Sequence, residues 1–126
     1  MQIRIYYEDT DAGGIVYHTN YIKYCERARS DIFFKKDMMP GAGSDFGFVV
    51  RDLKAKFLAS AKLGDLLDIK TVMLEHRRST IRLLQEIYLD DKKLFSMEVL
   101  LVYIEEGKPR RIPDDIAAVF GEYKYK

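Results

Sequence analysis

The stretch Asn20-Tyr21-Ile22-Lys23-Tyr24-Cys25-Glu26-Arg27-Ala28-Arg29-Ser30-Asp31-Ile32-Phe33-Phe34-Lys35-Lys36 decides the architecture, because it is the best helix candidate in the chain. Tyr21, Tyr24, Cys25, Ala28 and Ile32 fall three or four residues apart and share one face. Ile22, Phe33 and Phe34 widen that apolar stripe, so the helix should be largely covered. Thr19 or Asn20 is placed to cap it, since either side chain accepts a hydrogen bond from a free first-turn N–H. Beyond it, Pro40-Gly41-Ala42-Gly43 should stop the helix and make a loop.

Outward from the helix the period changes to two. On the N-terminal side Ile3, Ile5 and Tyr7 alternate, which marks a short strand within Met1 to Tyr7. A loop from Glu8 to about Thr19 separates it from the helix. On the C-terminal side Phe46, Phe48 and Val50 alternate, then Leu53, Ala55 and Phe57 on the other parity, so a bulge is expected near Asp52. Leu67, Ile69, Thr71 and Met73 form the next strand. Ile81 and Leu83, then Ile87 and Leu89, read as a long strand with another change of parity. Phe95, Met97, Val99, Leu101 and Tyr103 alternate most clearly, and Pro113 opens a short C-terminal helix. One strand, a long helix and four consecutive strands describe an α+β domain: an antiparallel sheet with an apolar helix packed on it.

The chain has 126 residues, room for a single domain spanning 1–126 with a real core. Its 21 basic and 20 acidic residues nearly cancel, which argues against nucleic acid as a bulk partner. Cys25 is the only cysteine, so no intrachain disulfide forms, in keeping with a reducing compartment. No signal peptide and no membrane span is legible, and a cytoplasmic location is expected.

The reactive groups concentrate in Tyr7-Glu8-Asp9-Thr10-Asp11-Ala12-Gly13-Gly14-Ile15-Val16-Tyr17-His18-Thr19-Asn20-Tyr21. Three carboxylates, a glycine pair, a histidine and a helix start suit attack on a carbonyl. A carboxylate serves as nucleophile or as base toward water, and unpaired N–H groups at a helix start hold a developing oxyanion. The same residues also fit a solvated acidic loop with Asx turns, or a divalent-cation site using His18, although no spacing here matches a metal motif. No metal and no cofactor is expected.

The segment Asp9 to Tyr21 resembles the signature of the 4-hydroxybenzoyl-CoA thioesterase-like hotdog proteins. It is most similar to that of the Tol-Pal-associated acyl-CoA thioesterases. The likeness continues through Glu26-Arg27-Ala28-Arg29, Gly64-Asp65, Glu75-His76-Arg77-Arg78-Ser79 and Gly107 to Pro113. It implies the hotdog fold, a long central helix wrapped by a five-stranded antiparallel sheet, and hydrolysis of acyl-CoA thioesters. By this resemblance Asp11 is the catalytic carboxylate, acting directly or through water. Backbone N–H groups near Tyr17 and His18 polarise the carbonyl, and His18 meets substrate or catalytic water. Tyr7 is a further catalytic candidate, and Gly14, Val16, Tyr17 and Asn20 are candidates for substrate contact. Ile15, Val16 and Tyr24 would line a site for an aliphatic or small aryl acyl group. The hydroxybenzoyl enzymes have Tyr-Pro where this chain has His18-Thr19, which argues against hydroxybenzoyl-CoA as substrate.

Arg77 and Arg78 match two residues of an Arg-Arg-Lys run that binds the CoA nucleotide in the hydroxybenzoyl enzyme, and guanidinium groups suit phosphate oxygens. Ser79 replaces the lysine, so the grip should be weaker, or the donor an acyl carrier protein. Arg110 and Arg111 are lesser candidates. The resemblance also implies a homo-oligomer, a dimer or tetramer paired edge to edge. The alternative function is an acyl-thioester or acyl-carrier-protein binding module tied to envelope phospholipid metabolism. A dehydratase of the same fold would need a His-Phe-Pro-type loop, which the chain lacks.

Overall fold

The computed structural model describes residues 1–39 and 46–124. In order they form β1 (Gln2–Arg4), α1 (His18–Phe34), β2 (Phe46–Phe57), β3 (Leu66–His76), β4 (Thr80–Leu89), β5 (Lys92–Glu105), β6 (Lys108–Pro109) and α2 (Asp114–Gly121). A turn of 3-10 helix, Tyr7–Asp9, follows β1. All strand pairs are antiparallel in the order β1-β3-β4-β5-β2, and the two-residue β6 adds to β5 as a sixth strand. The α+β hotdog arrangement expected from the sequence is thus present, with one short strand more than anticipated.

The helix face is as its spacing dictates: Tyr21, Tyr24, Cys25, Ala28, Ile32 and Phe33 are buried. Phe34 is not part of it and stays exposed. The helix begins before Thr19 and Asn20, with Tyr17 as its N-cap and no side-chain cap. It ends before Pro40, because Asp37 adopts a left-handed conformation (φ 54°) and the Met38 N–H closes back on the Phe33 carbonyl. The expected Pro40 to Gly43 loop lies outside the described residues.

The bulge in β2 falls where the parity switch placed it. Val50 pairs with Leu101 and Asp52 with Leu100, leaving Arg51 as the extra residue. No parity change occurs between Leu83 and Ile87. Ile81, Leu83, Gln85 and Ile87 form one buried row, and the ladder to β5 shifts only after Ile87. The ladder to β3 shifts between Met73 and Glu75, through an extra residue on β3. Gln85 belongs in that row because each end of its amide is satisfied. Its Nε2 donates to the Cys25 carbonyl (2.9 Å) and to Thr71 Oγ1 (3.1 Å), while its Oε1 accepts from the Arg29 guanidinium (2.9 Å). This amide stitches the sheet to α1 at its centre. It also shows that the odd-numbered side of β4 faces the helix, so Thr80 and Arg82 face away from it.

α2 closes one end of the core through Ile116, Val119 and Phe120, the Phe120 ring meeting Phe33 and Phe48 edge-on. Among the described residues no helix is long and apolar enough to cross a membrane.

Candidate functional site

The loop between β1 and α1 is held by Asp9. Its Oδ2 accepts from the Tyr6 N–H (2.9 Å) and its Oδ1 from the buried Tyr24 hydroxyl (2.8 Å). Its carbonyl accepts from the Tyr17 N–H (3.1 Å) and the Asn20 side-chain amide (2.9 Å). Asp9 therefore supplies the anchoring that the helix start lacks from its own cap. Burial raises the Tyr24 hydroxyl well above its ordinary range, and the hydrogen bond to the Asp9 carboxylate adds to the effect. The phenol stays a donor at any working pH.

Asp11 sits on the shoulder of a tight reversal. Its N–H donates to the Ile15 carbonyl (2.9 Å), and Thr10 and Val16 bridge across. Its Oδ1 accepts from the Gly13 N–H (2.8 Å), while Oδ2 has no hydrogen-bond partner among the described residues. A Cβ at Gly13 would lie 3.2 Å from Oδ1, so the carboxylate rests on that glycine, and Gly14 turns the chain at φ 82°. Val16 and Ile15 are tied to the connection between β2 and β3, Val16 N–H donating to the Ala61 carbonyl (2.9 Å) and Ile15 bridging Lys62. The Ala61 N–H in turn donates to the Tyr21 hydroxyl (2.9 Å).

These ties enclose a cavity of about 330 Å³ lined by Asp11, Ile15, Val16, His18, Tyr21, Phe57, Leu58, Ala59 and Ser60. The His18 ring lies between Tyr17 and Phe57, with centroids at 4.6 and 5.9 Å, and its nitrogens have no partner among the described residues. Being the first residue of α1, His18 presents a backbone N–H with no intrahelical acceptor, at the positive end of the helix dipole. One carboxylate oxygen, one imidazole and one helix start thus share a space whose wall is part polar and part apolar, the apolar part from Ile15, Val16, Phe57 and Leu58. That arrangement can place water or a carboxylate against a carbonyl carbon while an N–H takes up charge on its oxygen.

A family model described as "Thioesterase-like superfamily" matches residues 6–120. The chain belongs to the thioesterase-like superfamily. It is 46% identical to the acyl-CoA thioesterase YbgC of Helicobacter pylori (strain ATCC 700392 / 26695), over 86% of this chain and 81% of that protein. It is 36% identical to the acyl-CoA thioester hydrolase YbgC of Escherichia coli O157:H7, over 94% and 92%. A probable thioesterase from Bartonella henselae superposes with a TM-score of 0.81 at 32% identity, covering 90% of this chain and 97% of that one. A 1,4-dihydroxy-2-naphthoyl-CoA thioesterase from Synechocystis shares the fold, with a TM-score of 0.88 at 19% identity over 100% and 97% of the two chains.

Of the residues singled out in this thioesterase-family sequence, Asp11, Val16 and His18 meet in the cavity, and Gly14 shapes the reversal beside it. The Tyr17 N–H is already committed to Asp9 and the Asn20 N–H to the Tyr17 carbonyl. The free donors at this helix start are therefore the N–H groups of His18, which lines the cavity, and Thr19. Asn20 is likewise committed to Asp9 and does not line the cavity. Tyr7 does not end β1: it lies in the 3-10 turn, 82% exposed and outside the cavity. Tyr24 is buried behind the loop, and Tyr21 and Phe57 form the apolar wall expected of it. Sequence reasoning missed Phe57 to Ser60 as site residues, although Phe57 is the last residue of the second alternating run. Among the described residues no group of three or more His, Cys, Asp or Glu is placed to hold a metal.

Arg77 and Arg78 are not beside Asp11. They line a separate cavity of about 490 Å³ with Arg51, Glu75, Ser79, Thr80, Arg82 and Leu100, on the sheet face away from α1. Phe57 and Arg51 are six residues apart on β2, roughly 20 Å at the rise of a strand. Arg111 is paired with Asp114 (2.8 Å), and Arg110 is exposed.

Proposed function

We propose that this chain hydrolyses acyl-CoA thioesters, of short- to medium-chain or small aryl acyl groups, to the free acid and CoA. The observation that carries the reading is the free Oδ2 of Asp11 at a cavity it shares with His18 and the first turn of α1. Both oxygens of the Asp9 carboxylate are taken, by the Tyr6 N–H and the Tyr24 hydroxyl, so the loop offers Asp11 as its available inner carboxylate. Either water's oxygen bonds to the thioester carbon as its proton passes to Asp11, or Asp11 Oδ2 itself bonds to that carbon. In both routes the C–S bond breaks as the carbonyl re-forms, and the sulfur takes a proton and leaves as the thiol of CoA. That proton comes from Asp11 in the first route and from water in the second. In the second route another water then hydrolyses the acyl–Asp11 anhydride to the free acid. The His18 N–H steadies the negative charge on the carbonyl oxygen, and no cofactor is needed. An acyl carrier protein is a second possible donor of the same thioester.

The carrier end is assigned to Arg77 and Arg78. Their cavity lies on the opposite sheet face from Asp11 of the same copy, which favours an oligomer in which two copies serve one substrate. β2 supports this arrangement: among the described residues it pairs with β5 alone and leaves its other edge unpaired, and its Val49 and Val50 are exposed. Edge-to-edge dimers, or tetramers of them, would cover it in the cytoplasm.

Asp11→Asn tests the mechanism. It should lower kcat at least ~10²-fold, by the usual size of a lost base or nucleophile, with no change in melting temperature. Thiol release from a panel of acyl-CoAs is the measurement. More than half of wild-type activity in the folded variant would rule out Asp11, and a wild type that binds acyl-CoA without turnover would mark a binding module instead.

A further inference from the structure

We propose that Arg51, the bulged residue of β2, pairs with Arg78 to grip the phosphate groups of the substrate's nucleotide. This rests on the acyl-CoA reading and adds to it a residue that lies far from the hairpin in sequence. Four guanidinium groups, those of Arg51, Arg77, Arg78 and Arg82, line the cavity on the outer sheet face, with Glu75 as its lone carboxylate. Two of the four are already committed. Arg77 Nε donates to Glu75 (2.5 Å), and Arg82 lies 4.0 Å from Glu98. Arg51 and Arg78 have neither an ion pair nor a side-chain hydrogen bond among the described residues. Two unpaired cations brought to one concave surface repel each other, and an anion between them relieves that repulsion.

The backbone shows why Arg51 is there. Val50 lies on the helix side, lining the groove beside α1, and Leu53 packs on the core. The bulge inserts Arg51 as an extra residue between them, and Arg51 lines the outer cavity together with Thr80 and Arg82 of β4, a common use of such irregularities. Arg78 is fixed from the other side. The Ile112 N–H donates to its carbonyl (2.8 Å), the Tyr103 N–H to Ser79 (2.8 Å), and the Arg77 N–H to Thr80 (2.9 Å). Ser79 and Thr80 add hydroxyl donors to the same wall. Planar forks facing a cavity with hydroxyls match the 3′-phosphate and pyrophosphate of CoA, which accept bidentate bonds.

Calorimetric binding of CoA to the full chain tests the pair without requiring turnover. Arg51→Ala should weaken CoA about tenfold or more, as expected for one lost charge-assisted contact. Arg51→Lys should recover only part of it, since the ammonium lacks the fork. Lys54→Ala, which removes an exposed charge from the same strand outside the cavity, should change affinity by less than about threefold, the small effect of general screening. In steady-state assays Arg51→Ala should raise KM for acyl-CoA by a similar factor with kcat held, and leave the matching acyl-pantetheine unaffected. Wild-type CoA affinity in Arg51→Ala, or equal losses in Arg51→Ala and Lys54→Ala, would overturn the proposal. CoA binding that depends on Arg51 in a protein without thioester turnover would instead defeat the hydrolase reading alone.

Discussion

Asp9 and Asp11 are two residues apart, yet their surroundings give them opposite duties. Asp9 spends both carboxylate oxygens and its carbonyl on anchoring, whereas Asp11 leans one oxygen on Gly13 and leaves the other open. The Tyr24 hydroxyl is the buried half of that anchor. Tyr24→Phe should therefore destabilise the fold by about 1.5–3 kcal/mol, the range for a hydrogen bond to a charged group. Urea denaturation would measure it, and a loss under about 0.5 kcal/mol, well below that range, would mean that backbone bonds alone hold the loop. The signature loop was legible as a site because its residues are contiguous. The division of labour within it was not, since Tyr24 reads as one more apolar position on a helix face.

At the scale of elements, alternation placed β2, its bulge and β5 correctly, because those rows are apolar throughout. It failed at β4, where Gln85 interrupts the pattern and suggests a switch of faces. Polarity predicts exposure only when no partners wait inside, and here Cys25, Thr71 and Arg29 supply them. Gln85→Leu keeps the volume and removes the partners. It should cost about 1–3 kcal/mol despite the added apolar surface, since the Arg29 guanidinium loses its acceptor. A stability equal to wild type in chemical denaturation would show that Arg29 finds another. The start of α1 was misplaced for a related reason: its N-cap is Tyr17, whose N–H is held by the carbonyl of Asp9, several residues upstream, and no local side chain signals it. Phe57 and Arg51 escaped as site residues because each meets its partners only through the sheet.

For the molecule as a whole, the core sets a limit at alkaline pH. Burial pushes the Cys25 thiol up from its ordinary 9.0 to about 12, and burial also raises the hydroxyls of Tyr21 and Tyr24 above 10.0. Between those values only the unfolded chain releases these protons, so deprotonation draws the equilibrium toward unfolding. Stability should be insensitive to these groups below about pH 9 and fall steadily as pH climbs toward 12. Urea midpoints followed by circular dichroism across that window would check it, and a flat profile would contradict the burial of these side chains. The same thiol has a quieter consequence. It is the sole cysteine, it has no exposed surface, and it lies where the Gln85 amide clasps α1 to the sheet. A thiol reagent can reach it only in molecules that have momentarily parted helix from sheet, so its labelling rate is a built-in clock for the opening of the core.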